Sequence, residues 1–502
     1  MRRLPGGGAF GPPSAGKDGT RMDGRSSGIL LPVFSLPGPY GIGTMGKEAR
    51  SFIDFLASAN QHYWQILPLV PPGGGDSPYM SPSSFAGNPF FLDLEELAEE
   101  GLLTREELDS ARHDNPDRVD YDFLRTTRIP LLRKAWERGK ELWSPRMEAF
   151  LTFAHWAKDY ARFAALREEL NLPPAEWPSP TPEPEEDDVN FHIFLQTVFF
   201  RQWHALKRYA NEKNVSIIGD LPIYVSEDGA DFWARPELFQ LDEKGHPAAV
   251  AGVPPDAFSE TGQHWGNPLY DWEGHRKEVF DWWVERMAWA AELYDVVRID
   301  HFRAFYNYWS IPAGDTVATY GHWEPGPGME LLQRFQDEAP SLNIIAEDLG
   351  ALEEDVLEFI ANSGLPGMKV LVYAFDPNGE SAYLPHNCQP DSVVYTGTHD
   401  TPTFVQWLFQ EASPGEREYA MRYLRLREDE GYGWGAVCGA WSTMSRLAMA
   451  PMQDLLGLGA DARMNTPGTA GPHNWTWRVR DAALNPDVAR RLGDITRTYR
   501  RG

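Results

Sequence analysis

The sequence has little of what marks a secreted, membrane-spanning or nucleic-acid-binding protein. Its two cysteines, Cys388 and Cys438, match no metal-binding or redox spacing and exclude a disulfide framework. No apolar run approaches the roughly 18 residues that a membrane-spanning helix needs. Acidic residues outnumber basic ones by 73 to 46, and the formal charge of −27 argues against a nucleic acid or an anionic membrane surface as partner.

The first residues also lack the continuous apolar core of a signal peptide, although they contain arginine. We expect a flexible tail over residues 1–24, with Met22 as an alternative start, and a cytoplasmic protein. Hydrophobic residues make up 42% of the chain, which is enough for a large core.

Aromatic residues are abundant, at 13% of the chain, and include 19 tryptophans and 19 tyrosines. Most of them are expected to pack in the core. Aromatic residues in loops beside Asp, Asn and Gly are also typical of sugar binding, because sugar rings have apolar faces that stack on aromatic rings.

Short apolar runs alternate with amphipathic helical patterns along the chain. This alternation indicates parallel strands buried on both faces, and seven or eight such units favour a closed (β/α)₈ TIM barrel over an open sheet. Seven runs are clear, and we place an eighth shortly before ARMNTPG, near residue 460. The seven runs are GILLPV (28–33), HYWQILPLV (62–70), SIIGDLPIYV (216–225), DVVRIDHF (295–302), NIIAEDLG (343–350), MKVLVYAF (368–375) and SVVYTGTHD (392–400).

A bare barrel needs about 250 residues, so roughly half of the chain must be insertion. We expect one catalytic barrel domain over residues 25–502, with a mostly helical insertion at about 71–190. A second insertion at about 226–274 contains AGVPPDAFSETGQHWGNPLYDW, which has too much Gly and Pro for regular structure and the composition of a lid.

Acidic residues follow four of the apolar runs, in IIGD, VRID, IIAED and TGTHD. In a TIM barrel the carboxyl ends of the strands meet at one mouth, where active sites lie. Clustered carboxylates repel one another and are costly to bury, so their convergence suggests chemistry. The acids are Asp220, Asp300, Glu347 with Asp348, and Asp400.

Three chemistries could use this cluster. The carboxylates could bind a divalent metal together with His301 and His399, they could cleave a glycosidic bond, or they could bind sugar hydroxyls without catalysis. Arg298, two residues before Asp300 on the same strand face, favours the second, because a guanidinium competes with a metal and keeps Asp300 ionised. An ionised, positioned aspartate is what a nucleophile requires.

The motifs RIDHFR, AEDLG and TGTHDTPT resemble those of the amylomaltases, the 4-α-glucanotransferases related to α-amylases. The resemblance extends in order from about residue 25 to the C-terminus, through SSGILLPVFSLPGPYGIG, GDSPY, GNPFFLDL, GDLPIYV, TGQHWGNPLYDW and RMNTPGT. It implies that Asp300 is the nucleophile of a retaining transfer, Glu347 the general acid and base, and Asp400 the group that stabilises the transition state.

The resemblance also implies substrate-binding residues around the scissile bond and in the lid, α-1,4-glucan and glucose as substrates, and no metal or other cofactor. The substrate-binding residues are Ser77, Tyr79, Asp220, Asp256, Phe258, Trp265, Arg298, His301, His399 and Asn465. The alternatives are an α-glucan hydrolase with the same site, a metal-dependent TIM-barrel hydrolase, and a non-catalytic sugar-binding barrel; the oligomeric state is left open.

Two positions depart from the pattern of this family. Gly74 stands in GGGDSPY and Ala257 in PPDAFS, where the family often has tyrosine. Both changes remove aromatic surface away from the acids, so we expect a weaker preference for long glucan chains and unchanged chemistry.

Overall fold

The computed structural model describes residues 24–255, 259–350 and 352–502. Eight of its strands form one parallel sheet in the order β10-β11-β12-β1-β2-β3-β6-β9, and the other four form an antiparallel sheet in the order β5-β4-β7-β8. The strands are β1 Ser26–Leu30, β2 Tyr63–Gln65, β3 Ser216–Leu221, β4 Ala249–Val253, β5 Gln263–Pro268, β6 Val296–Ile299, β7 Asn307–Pro312, β8 His322–Pro325, β9 Asn343–Ala346, β10 Gly367–Val370, β11 Ser392–Tyr395 and β12 Leu447–Pro451.

Helices lie between the parallel strands, which confirms the predicted TIM barrel. Within the described residues, none of these helices combines the length and the apolar character that crossing a membrane requires. The α-helices are α1 Lys47–Ser58, α2 Leu94–Glu99, α3 Arg105–Ser110, α4 Tyr121–Leu151, α5 Ala157–Leu170, α6 Glu186–Glu212, α7 Ala230–Ala234, α8 Arg276–Leu293, α9 Met329–Glu338, α10 Glu354–Ser363, α11 Phe404–Gln406, α12 Pro414–Tyr423, α13 Tyr432–Ser442, α14 Met452–Leu455 and α15 Pro486–Thr498.

Each of the seven apolar runs contains or overlaps a barrel strand, and the buried residues of these runs explain why strands form there. In β6, for example, all four residues are buried, as expected for a parallel strand covered on both faces. The eighth strand, β12, lies at Leu447–Pro451, about ten residues earlier than the position near residue 460 that we expected.

The antiparallel sheet corrects the expectation that the segment around residues 250–270 is irregular. Its glycines and prolines do not prevent β4 and β5 from pairing. Gly252 is needed for this pairing, because a Cβ atom there would lie 2.2 Å from the Gln263 carbonyl oxygen. Here glycine marks a close approach of two strands.

The barrel closes between β9 and β10 through few contacts. The Ala346 amide donates to the Pro366 carbonyl over 3.0 Å, and the Asp348 carboxylate accepts the Met368 amide over 2.6 Å. We call this closure between β9 and β10 the seam. Asp348 was expected at the mouth with the other acids, but its side chain lies in the seam.

The two ends of the described chain meet at the amino-terminal end of the barrel strands, opposite the mouth. The fully buried Arg501 donates from Nη1 to the Ser26 carbonyl over 3.0 Å and to the Ser445 carbonyl over 2.9 Å. The C-terminus therefore ties the start of β1 to the segment that leads into β12.

We expect Gly367→Ala to destabilise the protein by about 1–3 kcal/mol, because the new Cβ would overpack the seam. It would lie 2.2 Å from Oδ2 of Asp348. Gly74→Ala is the control: Gly74 is exposed and a Cβ there meets nothing within 4 Å, so its effect should stay within about 0.5 kcal/mol. Urea denaturation of both variants measures the difference, and equal stabilities would contradict the proposed tight packing at the seam.

Candidate active site

The pairing of three neighbouring strands brings the acids together. Leu221, Ile299 and Ala346 lie side by side at the ends of β3, β6 and β9. Asp300 and Glu347 are the residues that follow two of these strand ends, and the Glu347 amide donates to the Ile299 carbonyl over 3.1 Å. Because neighbouring strands lie about 4.8 Å apart, the two side chains leave the barrel next to each other.

Arg298 lies beneath these acids and binds two of them. Its Nη1 atom is 2.8 Å from both carboxylate oxygens of Asp220, and its Nη2 atom is 2.9 Å from Oδ1 of Asp300. The Asp220 side chain is fully buried, whereas that of Asp300 is 30% exposed. Asp300 is therefore the member of this ion-pair group that remains open to the mouth.

Glu347 lies in surroundings that favour its protonated form. Burial and the negative charge of Asp300 raise the pKa of Glu347 to about 7, although the positive charge of Arg298 opposes the rise. Its oxygens accept the amides of His301 over 2.7 Å and Leu349 over 2.9 Å. These two bonds orient the carboxyl group.

The backbone of His301, whose amide donates to Glu347, is strained. Its φ of +52° lies in the left-handed region, which is unusual for a residue other than glycine. Its ring packs against Trp265, with centroids 4.8 Å apart, and burial lowers its pKa to about 4. Its buried Nε2 atom has no hydrogen-bond partner among the described residues, so a neutral imidazole nitrogen remains available for a ligand.

Asp400 has the opposite electrostatic environment to Glu347. Burial alone would raise its pKa, but His399 and Asn465 outweigh burial and lower it to about 2. The His399 Nε2 atom lies 3.1 Å from Oδ2 of Asp400, and Asn465 donates to Oδ1 over 2.6 Å. Asp400 is thus held as a carboxylate.

Tyr79 links the two sides of the mouth. Its hydroxyl donates to Oδ2 of Asp220 over 2.8 Å, and its ring stacks on the His399 ring with centroids 5.1 Å apart. Ser77 fixes the approach of this segment, because its hydroxyl accepts the Tyr79 amide over 3.2 Å.

The structure brings most of the candidate residues into one connected group, and their roles stay predictions. Asp256 and Phe258 lie outside the described residues, as does Ala257. Within the described ranges, no group of three or more His, Cys, Asp or Glu side chains could hold a metal ion.

Four further residues, three at the mouth and one buried carboxylate behind it, were missed by the sequence analysis. Tyr224 has a buried hydroxyl without a partner among the described residues and lines a cavity with Tyr79 and Asp220. Burial of the Tyr373 hydroxyl, together with the charges of Asp400 and Glu347, raises the pKa of Tyr373 to about 12. The residue as a whole is 45% exposed. The other two are Arg463, which donates to the Asp400 carbonyl over 3.2 Å, and Asp454.

Comparison with known proteins identifies the family. The model of the 4-alpha-glucanotransferase family matches residues 31–484. The 4-alpha-glucanotransferase of Thermus thermophilus is 46% identical over 492 residues, which cover 93% of this chain and 97% of that protein. The chain belongs to the 4-alpha-glucanotransferase family.

A further relative and a solved structure agree with this assignment. The Clostridium butyricum enzyme is 43% identical over 489 residues, covering 93% of this chain and 99% of that protein. The amylomaltase from Streptococcus agalactiae in complex with acarbose superposes with a TM-score of 0.91 and 39% identity, covering 95% of this chain and all of that chain. The predicted family and the predicted activity of a 4-α-glucanotransferase are confirmed.

Arg298→Met should lower the stability of this glucanotransferase by about 3–5 kcal/mol, because it leaves the buried Asp220 carboxylate without its counter-ion. The double variant Arg298→Met with Asp220→Asn has no such unpaired charge and should lose less. The measurement is the urea midpoint of each variant. If the single and double variants lose the same stability, Arg298 is not the counter-ion that stabilises the buried Asp220 carboxylate.

Proposed function

We propose that this enzyme transfers α-1,4-glucan segments by a retaining double displacement at the barrel mouth. Asp300 attacks the anomeric carbon of the donor, the bond to the departing glucan breaks, and Glu347 gives its proton to the departing oxygen. The 4-hydroxyl of glucose or of another glucan then attacks the same carbon and gives its proton to Glu347, which frees Asp300. Two inversions restore the α configuration.

The observation that carries this proposal is that Asp300 forms an ion pair with Arg298 while the adjacent Glu347 has a raised pKa. A retaining mechanism needs two carboxyl groups about 5 Å apart, one protonated and one ionised. Arg298 donates to the Asp300 carboxyl group over 2.9 Å, while burial and the charge of Asp300 raise the pKa of Glu347. Neighbouring strand ends support the required spacing.

The other candidate residues fit the binding of the reacting sugar. Asp400, ionised beside His399 and Asn465, accepts hydroxyl groups of the ring and stabilises the positive charge of the transition state. His301, Tyr79 and Trp265 surround the same space. The roles of Ser77, Asp220, Asp256 and Phe258 as substrate-binding residues, and the cytoplasmic location, belong to the same proposal.

A single incubation distinguishes transfer from hydrolysis. With maltotriose and ¹³C-labelled glucose, a transferase yields a ladder of longer maltooligosaccharides and places the label in them, because glucose acts as acceptor. Mass spectrometry of the products measures both their chain lengths and the label that they contain. Label-free products that stop at maltose and glucose would contradict the proposal.

Asp300→Asn is expected to abolish the ladder of longer products, since a neutral amide cannot attack the anomeric carbon. A folded Asp300→Asn variant that still makes the ladder would refute the assignment of Asp300 as the nucleophile.

The role of Glu347 can be tested through the leaving group and the pH. Glu347→Gln should lose about 10²–10⁴-fold in kcat/KM on maltotriose and much less in kcat/KM on α-maltosyl fluoride, because this constant reports the first displacement and fluoride needs no proton to depart. The kcat/KM of the native enzyme on maltotriose should fall as pH rises through about 7, because the acid form of Glu347 is lost there.

Asp348→Asn provides the matched control for that experiment. Asp348 is the neighbouring carboxylate, but it accepts the Met368 amide in the seam. Any loss it causes should be equal on the two substrates. A Glu347→Gln variant that also loses equally on both would rule out Glu347 as the general acid.

A further inference from the structure

Asp454 is a buried carboxylate outside the group of acids at the mouth. It lies in α14, just after the barrel strand β12, and is fully buried. Its Oδ2 atom accepts the Thr396 hydroxyl over 2.6 Å, and its Oδ1 atom accepts the Phe404 amide over 2.7 Å. Each carboxylate oxygen therefore receives one hydrogen bond.

The two donors mark the start and the end of the loop that carries His399 and Asp400. Between them, residues 397–403 form a compact turn. The Thr398 amide donates to the Thr401 hydroxyl over 2.9 Å, and the Asp400 amide donates to the Thr398 hydroxyl over 3.2 Å. Because the loop is bonded internally, holding its two ends fixes the loop as a unit.

The carboxylate also packs against the loop itself. A Cβ atom added at Gly397 would lie 3.4 Å from Oδ2 of Asp454 and 2.8 Å from the Thr401 hydroxyl. Gly397 therefore allows the first residue of the loop to approach Asp454 closely.

Burying Asp454 is costly, and little besides the loop offsets the cost. Burial raises its pKa to about 6, and the opposing influences are the hydrogen bonds from Thr396 and Phe404, with no cationic side chain among the described residues contributing. Buried polar groups depend on their hydrogen bonds. The carboxylate and the loop therefore stabilise each other.

The residue before Asp454 holds the second segment that contacts Asp400. Gln453 donates to the Ala462 carbonyl over 3.1 Å. The chain that follows supplies Arg463 and Asn465, which bind the Asp400 carbonyl and carboxylate. One helical turn thus anchors both sides of Asp400.

We propose that Asp454 is a positioning residue for the transfer reaction, which clamps residues 397–403 so that Asp400 faces the reacting sugar. Asp454 does not touch the substrate itself. This proposal rests on the role of Asp400 in the proposed function.

The first test compares three variants on maltotriose, well below the lowest Tm of the set. Asp454→Ala frees both ends of the loop and should lower kcat by about 10²-fold, as a misplacement of about 1 Å does, with a much smaller change in KM. Asp454→Asn should recover most of the activity, because the amide oxygen can accept the Phe404 amide while the Thr396 hydroxyl accepts from the amide nitrogen. If kcat of Asp454→Asn is no higher than that of Asp454→Ala, the proposed positioning role of Asp454 is wrong.

Asp295→Ala is the matched control. Asp295 accepts the Ile217 amide over 2.7 Å and the Asn211 side chain over 3.0 Å, at the opposite end of the barrel. Its removal also breaks two hydrogen bonds to a carboxylate, but it should leave kcat close to native. A loss as large as that of Asp454→Ala would show that the effect is general destabilisation, and would overturn the proposal.

The deciding test is a double-mutant cycle with Asp400→Asn, measured on α-maltosyl fluoride. If Asp454 acts through Asp400, then Asp454→Ala should cost little further activity once Asp400 is replaced. The same fold loss in both backgrounds would refute the positioning role while leaving the role of Asp400 intact. Near-native activity of Asp400→Asn alone would refute the role of Asp400, and the positioning proposal with it. If Asp454→Ala does not fold, Thr396→Val, which removes one of the two bonds, takes its place in the cycle.

Discussion

The guanidinium of Arg298 is the group on which the arrangement at the barrel mouth depends. Two aspartates share it, and without a cation between them their charges would repel in a poorly solvated space. Burial and then the charge of Asp300 raise the pKa of Glu347, and the positive charge of Arg298 opposes this rise. One buried cation therefore holds two aspartates together at the mouth, beside a glutamate whose pKa is raised first by its own burial.

Much of the fold could be predicted because the barrel strands are continuous apolar runs, as in β6 and β11, whose residues are all buried. The strand β12 was harder to place because LAMAP is short and has no β-branched residue. β4 and β5 were missed because glycine was interpreted as a break. Glycine is needed at position 252 because the partner strand β5 passes too close for a Cβ atom. The composition of the segment around Gly252 does not reveal this close approach.

The site was predictable where acids directly follow strands, since the barrel brings strand ends together whatever their separation in sequence. The same rule could not separate Glu347 from Asp348, because only the closure between β9 and β10 turns Asp348 towards Met368. Asp454 gave no signal for a related reason. Its partners, Thr396 and Phe404, lie at least 50 residues earlier in the chain, and the contact exists only once β11 and β12 are paired.

The meeting of the chain ends at Arg501 and Ser26 has a practical consequence for engineering. Residues 24 and 502 both lie on the side of the barrel away from the acids, so a surface tether or a fused domain joined directly at residue 24 or at residue 502 leaves the mouth uncovered. The same closeness favours circular permutation of residues 24–502, in which a short linker joins residue 502 to residue 24 and new ends are opened in the proline-rich stretch between α5 and α6. The pairing of β1 with β12 would be kept, because neither strand is cut.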